Sequence, residues 1–312
     1  MLMTPSPQIS VIIFALNAVD TIERTLASVV AQLVPRLELI VLDAGSTDGT
    51  VEIIKRYQEH ITWWRSAPDE GPTAAINEGI EISTGEVICL LPADDWLEPG
   101  ALNAVINEFD ADPELDLLSC GTRFVQFDVD GKMKIDALFD TKKILEFSMT
   151  NIVRYPLSAS RFIRRRIYKQ FGGHDVSYRI GGDFDFLIRI CVFGVHSKVL
   201  ERLTYSYLRH EKSTTLSGNP EMIFLMMIDN IRVAETALAL DNISGKNRSA
   251  LVGMHGRCST RLTWMLLRKR LYFKAVDVLL RTWKINFFWP LLVPLWIFYG
   301  WYQRNQLSNT KL

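Results

Sequence analysis

The sequence predicts an α/β fold: a mixed, mainly parallel sheet sandwiched by helices, followed by a helical C-terminal region. Three observations predict it. The first hundred residues alternate short apolar runs with stretches of helical spacing. The short runs are apolar almost throughout, as parallel strands covered on both faces are. From Pro220 on, the spacing is mainly helical. With 312 residues, 48% hydrophobic and 22% charged, the chain can bury a sizeable core, and its composition argues against disorder.

Each element has its own signal. Residues 9–16 (ISVIIFAL) are the first strand, and residues 17–32 follow with Ile22, Leu26, Val29 and Val30 at helical spacing. LELIVLD is the second strand. The next helix opens in STDGT, with Ser46 or Thr47 as N-cap. ITWW is a short third strand, and the helix at 71–83 starts on Pro72, which suits a first turn. EVICLL is the fourth strand, and Pro99 starts a helix carrying Leu102, Val105, Ile106 and Phe109. Beyond Asp110 the alternation fades. Residues 115–128 read as a strand, Asp130-Gly131 as a turn and 181–194 as part of a helix. Residues 241–246 are the best linker candidate. We divide the chain into a first domain, 1–215, and a C-terminal region, 216–312.

Composition excludes several classes. Basic and acidic residues balance at 35 each, so nothing points to a nucleic-acid partner. Cys89, Cys120, Cys191 and Cys258 stand far apart, forming neither a metal knuckle nor a disulfide framework, which favours a reducing compartment. Neither GxGxxG nor GxxxxGK[ST] occurs. A nucleotide would therefore be held by carboxylates, backbone and a metal.

In a parallel sheet the ligand crevice lies beyond the carboxyl ends of the strands. Asp43, Asp69 and the pair Asp94-Asp95 follow the second, third and fourth strands. Any one of them is equally well a turn or cap residue. Together they would converge on one crevice. The adjacent pair suits Mg2+ or Mn2+, or else caps the helix near Pro99.

Four segments, ISVIIFALN, LIVLDAGSTDGT, the run 69–102 and GGDFDFLIRI, resemble in order and spacing the inverting family 2 glycosyltransferases of GT-A fold, over about residues 8–212. The resemblance implies transfer of a sugar from a nucleoside-diphosphate sugar, UDP- or dTDP-linked by preference, to a saccharide or lipid-linked acceptor, with Mn2+ or Mg2+ as cofactor. It implies that Phe14, Ala15 and Asn17 line the nucleotide base and that Asp43 accepts a hydrogen bond from it. Asp69 joins the nucleotide site. Asp94 touches the ribose or the metal's water shell, Asp95 is the direct metal ligand and Asp183 is the catalytic base. Asp185 competes with Asp183, and both are equally first-turn helix residues. Arg209, His210 and Ser213, in YLRHEKSTT, contact the diphosphate or help hold the metal, or else lie in a surface loop. Gly182 stands where the family motif has Glu, and Pro92 where Asp or Asn is frequent. Arg161, Arg164, Arg165 and Arg166 read as a solvated helix face or as a site for an anionic acceptor. A non-catalytic nucleotide-sugar-binding or scaffold protein of the same fold is the alternative.

The C-terminal region has a different character. From Lys246 on, twelve Lys and Arg face one acid, Asp277, and five Trp fall between Trp264 and Trp301. Residues 257–284 read as a basic, partly amphipathic helix suited to a membrane surface. Residues 285–302 carry no charge and would span about 27 Å as a helix, barely short of a bilayer core. Pro290 and Pro294 disfavour a straight span. We read the segment as a monotopic or re-entrant anchor, with a single span or a hairpin packed on protein as alternatives. The flanking cations put the first domain on the cytoplasmic side, at the inner face of the cell membrane. The run at 9–16 is short and follows no Lys or Arg, so it is a strand and not a signal peptide.

Overall fold

The computed structural model describes residues 8–155, 157–210, 219–241 and 243–287. Its strands are β1 (Ile9–Ala15), β2 (Leu37–Asp43), β3 (Trp63–Ser66), β4 (Val87–Pro92), β5 (Trp96–Leu97), β6 (Leu117–Phe127), β7 (Met133–Phe139), β8 (Arg161–Arg164) and β9 (Ser197–Leu208). Its helices are α1 (Ile22–Val30), α2 (Thr50–Arg56), α3 (Pro72–Ile82), α4 (Ala101–Ala111), α5 (Lys142–Leu145), α6 (Met149–Ile152), α7 (Arg165–Phe171), α8 (Gly182–Phe193), α9 (Pro220–Leu238), α10 (Gly245–Arg268) and α11 (Tyr272–Ile285). They form two compact units, Met1–Tyr178 with Gly182–Ser217, and Arg179–Gly181 with Gly218–Leu312.

The first unit holds one mixed, mainly parallel sheet in the order β3-β2-β1-β4-β8-β6-β9-β5, with β7 paired to β6. β3, β2, β1 and β4 run parallel, as the apolar runs predict. Successive strand residues point to opposite faces. Ile9, Val11, Ile12 and Ile13 are all fully buried, so both faces of β1 are covered. On one face α3 lies so close that a Cβ on Gly79 would come within 2.4 Å of Ile12 Cγ2.

The second half of the sheet was not legible as pairing. β8 is antiparallel to β4 and to β6, and β6 is parallel to β9. Because β8 runs against β4, with Val87 opposite Arg164, its Arg161 end points the same way as the carboxyl end of β4.

Two helix starts differ from expectation. The helix expected from residue 17 begins at Ile22. Asn17 adopts a left-handed backbone (φ +49°) and is tied to the next loop, its N–H donating to Ser46 Oγ and its Oδ1 accepting from Thr47 N. The helix after β2 begins at Thr50. Ser46 is drawn to Asp43 instead of capping, and Gly49 takes the left-handed cap position.

The second unit is built from α9, α10 and α11. Asn219 and Ser244 cap α9 and α10, accepting from Glu221 N and Asn247 N. Residues 241–246 join these two helices inside one unit and do not separate domains. Among the described residues no helix is long and apolar enough to cross a membrane. Of the proposed anchor, only 285–287 are described, and 288–302 lie outside the described residues.

Candidate active site

The carboxyl ends of β1, β2 and β4 lie side by side, with Ala15 opposite Asp43 and Phe14 opposite Pro92. Phe14 accepts from Ala93 N and Ala15 from Ala44 N, so their carbonyls fasten the neighbouring loops. Asp43 is fully buried. Its Oδ2 accepts from Gly45 N (3.1 Å), Ser46 N (2.9 Å) and Ser66 Oγ (2.6 Å), and its Oδ1 from Ser46 Oγ. Gly45 needs its positive φ of 82° to turn there. Asp43, expected to meet a base, thus shapes the loop at the crevice edge.

Asp69 is held below the crevice edge by Arg65 Nη2 (3.1 Å) and Gly71 N (2.9 Å). Arg65 was not singled out by sequence. It also grips Glu78 through Nε and Nη2, and the Asp43 and Ala67 carbonyls through Nη1. One guanidinium therefore joins the ends of β2 and β3 to α3. The available signal was a lone Arg four residues before Asp69.

The acidic pair divides sharply. Asp94 has a side chain 38% exposed. Its Oδ1 accepts from Thr21 Oγ1 at 2.9 Å, and its Oδ2 lies 3.1 Å from His210 Nε2. Asp95 is 1% exposed, its Oδ2 accepting from the Tyr205 hydroxyl and its Oδ1 from Leu208 N at 2.9 Å. Burial pushes the Asp95 carboxyl up to about 7 despite those two hydrogen bonds. Asp95, expected as the direct metal ligand, has both carboxylate oxygens engaged by donors inside the protein. The accessible oxygen donor is Asp94, with the His210 imidazole beside it. Arg24 was also missed. Its guanidinium stacks over Trp96 (4.3 Å) and Phe127 (5.1 Å) and puts a positive charge near Asp95 and Asp94. Its position three residues after Thr21, hence on the same helical face, was the signal.

Arg209, expected at the diphosphate, forms an ion pair. Its Nη1 pairs with Asp136 Oδ2 on β7 at 2.7 Å. Ser213 lies outside the described residues. Arg164 and Arg166 make hydrogen bonds within the protein. Arg164 donates to the Leu115 and Phe109 carbonyls and pairs with Glu86, and Arg166 donates to Asp116 and the Glu114 carbonyl. Arg164 and Arg166 fasten residues 109–116 at the amino end of β4, opposite the crevice, and Arg165 donates to the Ser83 carbonyl.

Asp183 sits in the first turn of α8. Burial raises its carboxyl above the ordinary range, opposed by hydrogen bonds from Ser158 and from Phe184 N (2.7 Å) and by the charge of Arg161. Arg161 is 5% exposed, and its Nη1 makes no hydrogen bond among the described residues. Asp185 differs in kind: it is buried and pairs with Arg189 Nε at 2.8 Å, and Arg189 also donates to the Phe171 and Gly173 carbonyls. Arg161 and Ser158 lead into β8 at the end that shares its direction with the end of β4. The sheet thus brings Asp183 to the same end as Asp94.

Residues 10–172, just over half of the chain, match the family described as Glycosyl transferase family 2. The succinoglycan biosynthesis protein ExoU of Rhizobium meliloti is 26% identical over 262 residues, spanning 80% of this chain and 74% of ExoU. Among solved structures, S. aureus TarS 1–349 in complex with UDP matches with a TM-score of 0.61 at 18% identity, over 80% of this chain and 71% of that one. The mannosyltransferase PcManGT from Pyrobaculum calidifontis, in complex with GDP-Man and Mn2+, matches with a TM-score of 0.57 at 19% identity, over 89% and 75%. These structural likenesses establish the GT-A fold. The chain belongs to glycosyl transferase family 2 and is a glycosyltransferase.

Proposed function

We propose that the chain transfers a sugar from a nucleoside-diphosphate sugar, uridine- or thymidine-linked by preference, to a hydroxyl of a saccharide or lipid-linked acceptor, with inversion at the anomeric carbon. One observation carries this reading: two acids at one end of the sheet lie in unlike settings. Asp94 is accessible beside His210, and Asp183 is desolvated beside Ser158 and Arg161. Separate settings suit separate roles.

Asp94 and His210 are the residues that would hold Mn2+ or Mg2+. Among the described residues no group of three or more His, Cys, Asp or Glu could hold an ion alone. One carboxylate and one imidazole fit an ion whose remaining positions go to diphosphate oxygens and water. When bound, such an ion stabilises negative charge on the leaving diphosphate. Asp95 supports the pair from behind, because Tyr205 and Leu208, which it holds, lie on the strand that leads into His210. Residues 14–17 and the loop held by Asp43 frame the nucleoside.

Asp183 acts on the acceptor. The hydroxyl oxygen bonds to the anomeric carbon as the bond from that carbon to the diphosphate oxygen breaks, and the hydroxyl proton passes to Asp183. Such a base contributes typically ~10²–10⁴ in rate. The name of ExoU and the UDP bound by TarS support a saccharide product and a nucleotide donor.

The test has two parts. Calorimetric titration with UDP, dTDP and GDP should give binding with Mn2+ present and much weaker binding in EDTA. Proton NMR of the product should give an anomer opposite to the donor's. Equal binding in EDTA removes the metal from the reading, and a retained anomer removes the single-base mechanism.

A further inference from the structure

We propose that α11 docks the second unit onto an anionic lipid surface through a stripe of Phe273, Val276, Leu280, Trp283 and Phe287. The inference goes beyond sugar transfer and does not depend on it.

The residues of α11 fall into three sectors. At about 100° per residue, Ala275, Val278, Leu279 and Thr282 share one side of the helix. Ala275 and Thr282 are buried there. Phe273, Val276, Leu280 and Trp283, spaced three, four and three apart, occupy a second sector about 80° wide, and Phe287 follows just past the helix end at Ile285. All five are exposed, Phe273 by 95%, and Trp283 stacks on Phe287 with ring centroids 5.7 Å apart. The third sector holds Lys274, Arg281, Lys284 and the single acid Asp277, which pairs with Arg281 at 2.9 Å.

Scattered exposed apolar residues need no explanation, but five in one stripe do. A 3–4 spacing also suits a helix–helix seam with a second copy. Charge decides between the two. The polar sector carries a net positive charge, and a second copy would bring like charges together, whereas anionic headgroups would complement them. Aromatic rings beside cations suit the depth of a lipid interface. The chain also continues from Ile285 to Tyr302 without a charge, so the sequence keeps its apolar character where the stripe ends.

The test uses the full chain and flotation with vesicles of phosphatidylcholine alone or with about 30% phosphatidylglycerol. Wild type should float with the anionic vesicles, and about 0.5 M salt should release much of it. A stripe variant, Phe273→Ser with Leu280→Ser and Trp283→Ser, should bind at least about tenfold more weakly. Lys274→Glu with Lys284→Glu should lose the preference for anionic lipid. Both variants should melt as wild type does, since the altered side chains are exposed, and should transfer sugar to a soluble acceptor at the wild-type rate. If the triple variant misfolds, Phe273→Ser alone serves, with a smaller loss of binding. Three outcomes would overturn the proposal: wild type that ignores anionic vesicles, a stripe variant that floats as wild type does, or a wild-type dimer that the stripe variant abolishes.

Discussion

The two ends of the parallel strands carry similar residues and treat them in opposite ways. At the amino end, Glu38 of β2 is buried but accepts from Ser10 Oγ, Thr84 Oγ1, Thr84 N and Gly85 N. Burial alone would raise its carboxyl, and the hydrogen bonds outweigh burial, so it is held below its ordinary range. At the carboxyl end, Asp95 receives two hydrogen bonds and Asp183 receives bonds from Ser158 and Phe184 N, and burial wins at both. Asp94 keeps an accessible carboxylate beside Thr21 and His210. Where the protein supplies enough donors, a buried acid is scaffold. Where burial outweighs the donors, as at Asp95 and Asp183, the acid is pushed toward its neutral form.

The largest test of this contrast sets Asp94 against its neighbour. Asp94→Asn should lower transfer by roughly 10³ or more and abolish the Mn2+ dependence of nucleotide binding, with an unchanged melting temperature. Asp95→Asn should cost stability, about 1–3 kcal/mol, because the amide keeps one acceptor oxygen for the two donors Tyr205 and Leu208 N. Kinetics and melting curves on both variants separate the two. If Asp95→Asn leaves the fold intact and removes the metal dependence while Asp94→Asn does not, the ligand assignment is reversed.

Next comes the base. Asp183→Asn should cut turnover by ~10²–10⁴ with nucleotide binding intact. Asp185→Asn, which breaks the pair with Arg189, should act mainly on stability. Single-turnover rates beside donor titrations decide it, and a slow Asp185→Asn with a normal Asp183→Asn would exchange the two roles.

A smaller effect appears in pH. Asp183 must be ionised to accept a proton, and its pKa is raised, so activity should fall with acid above the ordinary carboxylate range near about 3.9. Arg161 favours the ionised form. Arg161→Gln should therefore move the acid limb of kcat/KM to higher pH. An unmoved limb would show that Arg161 acts on packing alone.

The smallest effect lies at the amino end. The folded-state pKa of Glu38 is depressed, so its contribution to stability is present above its unfolded value of about 4.3 and is lost as pH falls through the folded value. Glu38→Gln should lower the melting temperature at neutral pH, and the gap from wild type should narrow in acid. A gap that is constant with pH would mean that Glu38 contributes shape and not charge.

Sequence alone determined the parallel half of the sheet and the positions of its acids. Apolar, β-branched runs broken by helical spacing allow few other solutions, and strand ends then carry Asp43, Asp69 and Asp94-Asp95 to one edge. The amphipathic spacing in 257–284 was legible for the same reason, since period is a local property, but the single helix expected there is broken at 269–271, where Arg270 takes a left-handed backbone (φ +59°) between α10 and α11. Tertiary structure decided which acid of the pair opens outward. That choice belongs to Tyr205 and Leu208, 110 and 113 residues further along the chain, and no local pattern records it. It likewise decided that Arg209 belongs to Asp136 and that α11 keeps one apolar sector uncovered. Periodicity tells which residues share a face. Only packing tells what that face meets.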